Sequence, residues 1–403
     1  MHKVQYEPRD LQVPAMNAED FKNSPSGRLV PTIEKALAFV PNPLPPPKID
    51  YAKLAGALAD ASRAIGALDG LGQALPNPRL LVQSFSRVEA VASSKIEGTV
   101  TSIPELLTLE ISPNAPRVRN DTREVHNYSR ALRHGLRLLP TLPISNRFFC
   151  ELHRVLMDGV RDERGMQVVP GETKKQQNWI GGRLIQNARF VPPPPAEATI
   201  ALGELEKYIN EKDRDDDPFL LIKLAMVHYQ FEAIHPFPDG NGRVGRLIIP
   251  MMLCERKAMT HPLLYLSSYL ERHNDEYIDR MYEVSRSGAW EEWIEFFLRG
   301  TAASARNGIK RANALLALHK KYMEQVQSVR SSGLLAKLIN SLFASPATTI
   351  PHAVKELGIS YNAAKNNIQK LVDLRILTPE IEDERPQWFF GLEIISTMAA
   401  NDM

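Results

Sequence analysis

The stretch HPFPDGNGRVGR, residues 235–246, is the most informative part of this chain. It lies between two segments whose apolar residues recur at helical spacing, which predicts a loop that leads into a helix. Gly240 and Gly242 permit backbone angles closed to other residues, so successive N–H groups can converge on one anion. The next helix begins there with its positive end facing the loop. The stretch therefore predicts a phosphate site.

Two arginines, one aspartate and one histidine supply the chemistry of the predicted site. Arg243 and Arg246 are three residues apart in the first helical turn, where the helix dipole and their mutual repulsion disfavour them unless an anion binds. Guanidinium groups bind phosphate oxygens by paired hydrogen bonds, which favours a diphosphate or triphosphate. Asp239 would repel that ligand unless a divalent cation lay between them, and Mg²⁺ is the usual choice. His235 can accept a proton near neutral pH.

A purely structural interpretation makes the glycines a turn, the histidine a helix cap and the arginines surface ion pairs. It explains a lone Gly-x-Gly, but it does not explain why every polar residue of the loop has a role around one ligand. Competing phosphate motifs fail, because the chain has no Gly-x-x-x-x-Gly-Lys-Ser/Thr and no predicted strand precedes the loop. We therefore favour a functional loop.

The loop resembles the signature of the Fic (filamentation induced by cAMP) domain family, His-Pro-Phe-x-(Asp/Glu)-Gly-Asn-Gly-Arg-x-x-Arg, and matches it at every defined position. The resemblance implies a mainly α fold, with a helical Fic core and a β-hairpin flap. It also implies a protein adenylyltransferase, which transfers AMP from ATP to a Ser, Thr or Tyr hydroxyl of a target protein with Mg²⁺ present. Self-modification is a further implied reaction.

The resemblance also implies a role for each polar residue of the loop. His235 removes the proton from the acceptor hydroxyl, and Asp239 holds the Mg²⁺. The remaining residues bind the phosphates of ATP: Gly240, Asn241 and Gly242 the α-phosphate, Arg243 and Arg246 the β- and γ-phosphates.

Residues 176–181, QQNWIG, resemble the family's flap, and the short runs on either side of Gly181-Gly182 predict a hairpin. A hairpin edge beside the site can pair with an extended segment of the target by strand addition. Asn178, Trp179 and Ile180 are the candidate target-docking residues. Ordinary packing explains Trp179 and Ile180 equally well.

A short segment upstream resembles the family's inhibitory motif, Ser/Thr-x-x-x-Glu-Gly/Asn. Ser93 and Glu97 are four residues apart on one face of a helix predicted over residues 78–97, and Gly98 ends that helix. The resemblance implies that Glu97 pairs with Arg246 and occupies the arginine that the γ-phosphate needs. In some relatives the same glutamate aligns a water that removes AMP, so this second activity stays open.

At 403 residues the chain has room for two or three packed units. The C-terminal unit shows three helical segments followed by two short strands, the pattern of a winged helix-turn-helix domain. The predicted division is an N-terminal helical extension with the inhibitory helix at 1–118, a Fic catalytic domain at 119–300, a helical connector at 301–330 and the winged-helix-like domain at 331–403.

The formal charge of +2 gives the chain no global basic field. Basic and acidic residues of the C-terminal unit are nearly balanced, and DNA affinity depends on phosphate neutralisation, so protein interaction or homodimerisation is favoured there over DNA binding. The alternative for the whole chain is a nucleotide-sensing, DNA-binding transcriptional regulator that uses the winged helix.

Two cysteines and an N-terminus without an apolar core predict a cytoplasmic protein. The most apolar central stretch, residues 247–254, is far shorter than the ~18 residues of a membrane span and predicts a core helix. No membrane partner is expected. His228 is predicted to be a core or capping histidine from its place on a helix.

Overall fold

The computed structural model describes residues 15–75, 77–112, 119–160, 169–211, 220–327, 332–380 and 386–400. Within these ranges the chain is mainly helical with small antiparallel sheets, as the sequence predicts. The predicted domain boundaries at 118 and at 330–331 lie outside the described residues. Among the described helices, none combines the length and apolar character needed to cross a bilayer.

The N-terminal part begins with a β-hairpin that the sequence did not predict. Strand β1 (Gly27–Pro31) pairs antiparallel with β2 (Leu37–Pro41). Each strand ends on a proline, which normally argues against a strand because proline cannot donate to the ladder. Phe39 of β2 is fully buried, and its N–H donates to the Val191 carbonyl at 2.8 Å. The predicted helical extension is therefore partly β.

Helices are the main elements of the described ranges from residue 51 to residue 327. In chain order they are α1 (Tyr51–Ala74), α2 (Arg79–Ile96), α3 (Ile103–Ile111), α4 (Asn120–Leu138), α5 (Asn146–Leu156), α6 (Pro195–Asn210), α7 (Leu220–Ile234), α8 (Asn241–Glu255), α9 (Ser267–Arg272), α10 (Asn274–Ser287) and α11 (Trp290–Gln327). Short 3₁₀ helices lie at Ala18–Phe21 and Ile185–Asn187.

Helices α7 and α8 lie at the centre of the core. Every residue of α8 from Asn241 to Leu253 is buried, and α7 is buried on nearly all sides. A helix that is enclosed on all sides must be a core element. The loop 235–240 joins these two helices, so the candidate site is attached to two buried helices of the core.

The long helix α11 packs along α1 and runs through the predicted boundary at residue 300. The predicted connector is therefore the distal part of one continuous helix. The N-terminal part of α11 is buried at Trp290, Trp293, Ile294 and Phe297.

The C-terminal unit contains the predicted helices and strands, together with one further strand and one further helix. Its elements are α12 (Ser332–Ala344), β3 (Ala347–Thr349), α13 (Ile350–Leu357), α14 (Tyr361–Asp373), β4 (Thr378–Pro379), β5 (Trp388–Phe390) and α15 (Leu392–Ala399). The strands form one antiparallel sheet in the order β3-β5-β4. Trp388 and Phe390 pack against Ile103 and Leu107 of α3, so the unit shares a core with the N-terminal helices.

The flap forms a wider turn than a two-residue hairpin. Its pairing is one antiparallel bridge between Ile180 and Phe190, with the 3₁₀ helix Ile185–Asn187 inside the loop. Gly181 and Gly182 have φ values of +69° and +76°, which glycine adopts readily. The glycine pair therefore starts the loop, and the bridge closes the loop at Phe190.

Candidate active site

The loop between α7 and α8 is held in shape by Asn241. Its Oδ1 accepts a hydrogen bond from the Phe237 N–H, and its Nδ2 donates to the Phe237 carbonyl, both at 2.8 Å. Gly240, the N-cap of α8, is in the left-handed region with φ +75°. Because both polar groups of the Asn241 side chain are hydrogen-bonded inside the loop, this side chain fixes the shape of the loop. The backbone N–H groups that follow Gly240 form the N-terminal end of α8.

His235 presents a neutral imidazole to the cleft beside α8. Its Nδ1–H donates to the Glu232 carbonyl at 3.3 Å, which leaves the Nε2 lone pair available. Burial, together with the charge of Lys174, lowers the pKa of His235 to about 4. The residue has φ +48°, a left-handed conformation that is strained for a side chain with a Cβ.

Arg246 is held by the two residues of the predicted inhibitory motif. Its Nε donates to the Ser93 Oγ at 2.8 Å, and its Nη2 donates to the Ser93 carbonyl at 2.9 Å and to Glu97 Oε1 at 2.6 Å. Burial raises the pKa of Glu97, but the charge and hydrogen bond of Arg246 together with the charge of Arg243 outweigh burial, so the net pKa lies below its ordinary value. Glu97 is therefore ionised at neutral pH.

Arg243 is paired with a carboxylate that the sequence did not single out. Its Nη1 lies 2.9 Å from Glu124 Oε2 on α4, and its Nη2 lies 3.4 Å from Asp239 Oδ1. The Thr99 hydroxyl donates to the same Glu124 oxygen at 3.3 Å. Glu124 lies in a charged segment of α4 with several similar neighbours, so no sequence pattern marks it.

A buried lysine behind the loop was also missed. Lys174 is 5% exposed, and its Nζ donates to Asn178 Oδ1 at 2.8 Å and to the Ile234 carbonyl at 3.3 Å. Asn178 Nδ2 donates to the carbonyls of His235 at 3.2 Å and Phe237 at 2.9 Å. The predicted docking residue Asn178 thus turns its side chain onto the catalytic loop, while Ile180 lines the cleft.

His153 of α5 supports the loop from another side. Its Nδ1 accepts from the Gly171 N–H at 2.9 Å, and its Nε2–H donates to the Asp239 carbonyl at 3.2 Å. The ring stacks on Phe237 with 4.0 Å between centroids. Burial lowers the pKa of His153 to about 4, so it stays neutral.

Glu232, on the last turn of α7, brings an uncharged carboxyl to the cleft. Burial raises its pKa to about 8, although the Arg246 charge opposes this. Among the described residues its Oε1 has no hydrogen-bond partner. A Cβ on Gly245 would lie 2.2 Å from this oxygen, so a side chain at residue 245 would require the Glu232 carboxyl to move. His228, by contrast, is a buried core histidine that hydrogen-bonds Tyr277 OH at 2.7 Å, as predicted.

Several of these residues line an open cleft of about 190 Å³. The polar groups of its lining include His235, Gly242, Arg246 and Glu97. The lining also contains rings and aliphatic side chains: Phe190, Tyr229, Tyr277, Ile278, Met281 and Tyr282. A ligand with an anionic part and a flat apolar part fits this combination.

Two family profiles match the chain. The profile described as Fic/DOC family matches residues 143–253, and the one described as Fic/DOC family N-terminal matches residues 55–137. By this match, residues 143–253 are called the Fic domain. The first range carries the whole signature loop, and the second carries Glu97 and Glu124. The ion pairs to Arg246 and Arg243 therefore join the Fic domain to its N-terminal region.

Known proteins with similar sequences include the protein adenylyltransferase Fic of Aedes aegypti, 28% identical over 50% of this chain and 37% of that protein. A probable protein adenylyltransferase of Aquifex aeolicus is 30% identical over 42% of this chain and 48% of that protein. The aligned part is thus less than half of these relatives. A Fic family protein of Desulfovibrio desulfuricans shares the fold, with a TM-score of 0.55 and 18% identity over 86% of this chain and 98% of that one.

The Fic domain offers one carboxylate of the loop to a metal. The Asp239 side chain is 36% exposed, and its Oδ1 accepts from the Gly240 N–H. Across the described ranges no three His, Cys, Asp or Glu side chains come together as a metal site. This donor set fits Mg²⁺, which commonly uses one or two carboxylates and completes its shell with phosphate oxygens and water.

Proposed function

We propose that this protein is an adenylyltransferase that transfers AMP from ATP to a Ser, Thr or Tyr hydroxyl of a protein target. One observation carries the proposal: the neutral imidazole of His235 and the buried guanidinium of Arg246 line one cleft together with aromatic side chains, and a second buried arginine, Arg243, lies three residues before Arg246 on α8. The names of the curated relatives support it.

In the proposed reaction the acceptor hydroxyl oxygen forms a bond to the α-phosphorus of ATP. The bond from that phosphorus to the oxygen of the β-phosphate breaks, and its electron pair leaves with diphosphate. The hydroxyl proton goes to Nε2 of His235. Because an imidazole with a pKa of about 4 is a weak base, positioning and charge stabilisation provide most of the acceleration.

The positive groups in and around the cleft account for the phosphates. The N–H groups that follow Gly240 and the positive end of α8 suit the α-phosphate, and Arg243 and Arg246 suit the β- and γ-phosphates. Asp239 would hold Mg²⁺, which when bound would offset phosphate charge. Both arginines are paired with glutamates in this structure, so ATP binding in the reactive pose requires these pairs to open.

The Glu97–Arg246 pair supports autoinhibition as part of the proposal. Ser93 fixes the guanidinium, and the ionised Glu97 takes the position nearest to it. An ATP molecule that binds while this pair is closed lacks one contact to its γ-phosphate. The same ionised carboxylate could orient a water for removal of AMP, which is the second activity we include.

The target would dock along the flap, where Ile180 reaches the cleft and Trp179 lies partly exposed beside it. The alternative function, a DNA-binding regulator, draws support from the exposed polar face of α14, with Asn362, Lys365, Asn366 and Gln369. Salt-dependent binding of duplex DNA without AMP transfer would favour that alternative.

The deciding experiment incubates the Glu97→Gly protein and a cell lysate with ATP labelled at the α-phosphate, and in parallel with ATP labelled at the γ-phosphate. Transfer of AMP labels protein from the first nucleotide and not from the second. The variant with both Glu97→Gly and His235→Ala is the control. Label from γ-labelled ATP, or no label at all from folded protein, would reject the proposed function.

A further inference from the structure

Lys174 is an unusual lysine, because its ammonium group is buried without a carboxylate partner among the described residues. Burying a cation costs free energy unless hydrogen bonds replace its water. Here Nζ donates to Asn178 Oδ1 and to the Ile234 carbonyl. These contacts lie directly behind the loop that carries His235.

Lys174 and Asn178 together hold four successive carbonyls of that loop. Lys174 Nζ donates to the carbonyl of residue 234, and Asn178 Nδ2 donates to the carbonyls of residues 235 and 237. The backbone N–H of Lys174 donates to the carbonyl of residue 236 at 2.8 Å. Lys174 before the flap and Asn178 in the flap are therefore bonded to the chain at each residue from 234, the last of α7, to 237.

This clamp surrounds a strained residue. His235 has φ +48°, and residues other than glycine hold such angles only where their surroundings enforce them. The same backbone angle directs its imidazole into the cleft with Nδ1–H on the Glu232 carbonyl. Loss of the clamp would let the backbone relax and would turn the ring away from the acceptor hydroxyl.

We infer that Lys174 is a positioning residue for His235, and that with Asn178 it couples the flap to the position of the proposed base. This inference rests on the proposed function. Because Asn178 adjoins Trp179 and Ile180 in the flap, a target segment docked there acts on the same backbone that carries His235.

The charges around His235 support the same assignment. Glu97 on α2, Glu232 on α7 and Arg246 on α8 line the cleft with it, and Lys174 faces it from the segment before the flap. Burial lowers the pKa of Lys174 to about 7, so it is charged in the acidic range where His235 titrates. Its charge there helps to keep the pKa of His235 low.

The test compares Lys174→Met, which removes the charge and the donors, with Lys174→Arg, which keeps both, in full-length protein carrying Glu97→Gly. Lys175→Met is the matched control, since the Lys175 side chain is 80% exposed and pairs with Glu172. We expect Lys174→Met to lower kcat for self-modification about 10–100-fold, with the Kd for ATP within about twofold, because a displaced base affects chemistry rather than nucleotide binding. Lys174→Arg should recover part of the loss.

A second readout does not depend on turnover. Imidazole NMR, with the His235 signal assigned from its absence in His235→Ala, should show its titration midpoint rising from about 4 in Lys174→Met and unchanged in Lys175→Met. If the parent transfers no AMP, the proposed function fails and this titration alone decides the role of Lys174.

The inference is overturned if the titration midpoint of His235 is the same in Lys174→Met as in the Glu97→Gly parent protein. It is also overturned if the parent protein transfers AMP and Lys174→Met leaves its kcat unchanged. A fall in kcat that follows the loss of melting temperature and of ATP affinity would assign Lys174 to stability alone. If Lys174→Met does not fold, Lys174→Gln, which keeps a donor but no charge, takes its place with the same two readouts.

Discussion

Arg246 Nη2 lies 2.6 Å from Glu97 Oε1, although the two residues are 149 positions apart. The arginine side chain is 2% exposed, whereas the glutamate side chain is 37% exposed. Removing one partner of a buried pair normally leaves an unpaired charge. Here the Oγ and the carbonyl of Ser93 remain on the guanidinium, so Glu97 can leave while Arg246 stays in place.

From this pair we expect Glu97→Gly to raise AMP transfer, including self-modification, about tenfold or more. Charge-assisted contacts are worth ~1.5–3 kcal/mol, and an arginine released from one carboxylate becomes available to the γ-phosphate. Initial rates with α-labelled ATP measure the change. In an Arg246→Ala background the same substitution should no longer activate, because the arginine that it releases is absent. An equal or lower rate in the folded Glu97→Gly protein would contradict autoinhibition by Glu97.

His235→Ala should abolish AMP transfer and leave ATP binding nearly intact. A positioned general base is usually worth ~10²–10⁴-fold in rate, and the imidazole has no predicted contact with the phosphates in the ground state. Single-turnover rates together with calorimetric ATP titration separate the two effects. Turnover that persisted in His235→Ala would remove this residue from the mechanism.

Glu124→Gln should tighten ATP binding about two- to tenfold, with less activation than Glu97→Gly. The substitution neutralises the carboxylate 2.9 Å from Arg243 Nη1 while keeping the shape of the side chain. Arg243 still faces Asp239 at 3.4 Å, so its release is partial. Calorimetric titration of ATP checks the affinity, with Asp121→Asn, an exposed change on the same helix, as control. Weaker ATP binding would instead make Glu124 a residue that orients Arg243 for the ligand.

The residues of the loop could be predicted because they are contiguous, and because the spacing of Gly240, Gly242, Arg243 and Arg246 states its chemistry directly. Glu124 and Lys174 could not be predicted, since each becomes special only when a distant segment packs against it. The N-terminal hairpin was missed for a local reason: Pro31 and Pro41 end its strands and argue against a sheet. Functional residues that are adjacent in sequence can therefore be predicted from it. The residues that neutralise or position them come from distant segments and depend on tertiary packing.

Glu232→Gln should stabilise the protein, and more so at pH 8 than at pH 5. Burial raises the pKa of Glu232 to about 8 in the folded state, while an unfolded chain gives glutamate its ordinary value of ~4.3. Between these values the unfolded state releases a proton that the folded state keeps, so this group makes stability fall as pH rises. Its contribution is fully present below the unfolded pKa and is lost as pH rises through the folded pKa.

Glutamine fills the same space beside Gly245 and cannot ionise, so the variant lacks this loss. Thermal melting at pH 5, 6.5 and 8 measures the difference, and each kcal/mol shifts Tm by ~2–4 °C or less in a chain of this size. Glu172→Gln, at an exposed carboxylate, should show no such pH dependence. If the gain in Tm from Glu232→Gln were the same at all three pH values, or reversed, Glu232 would be ionised in the folded protein. The cleft would then hold a second carboxylate beside Arg246. Release of Arg246 from Glu97 alone would in that case not make the arginine available to a phosphate.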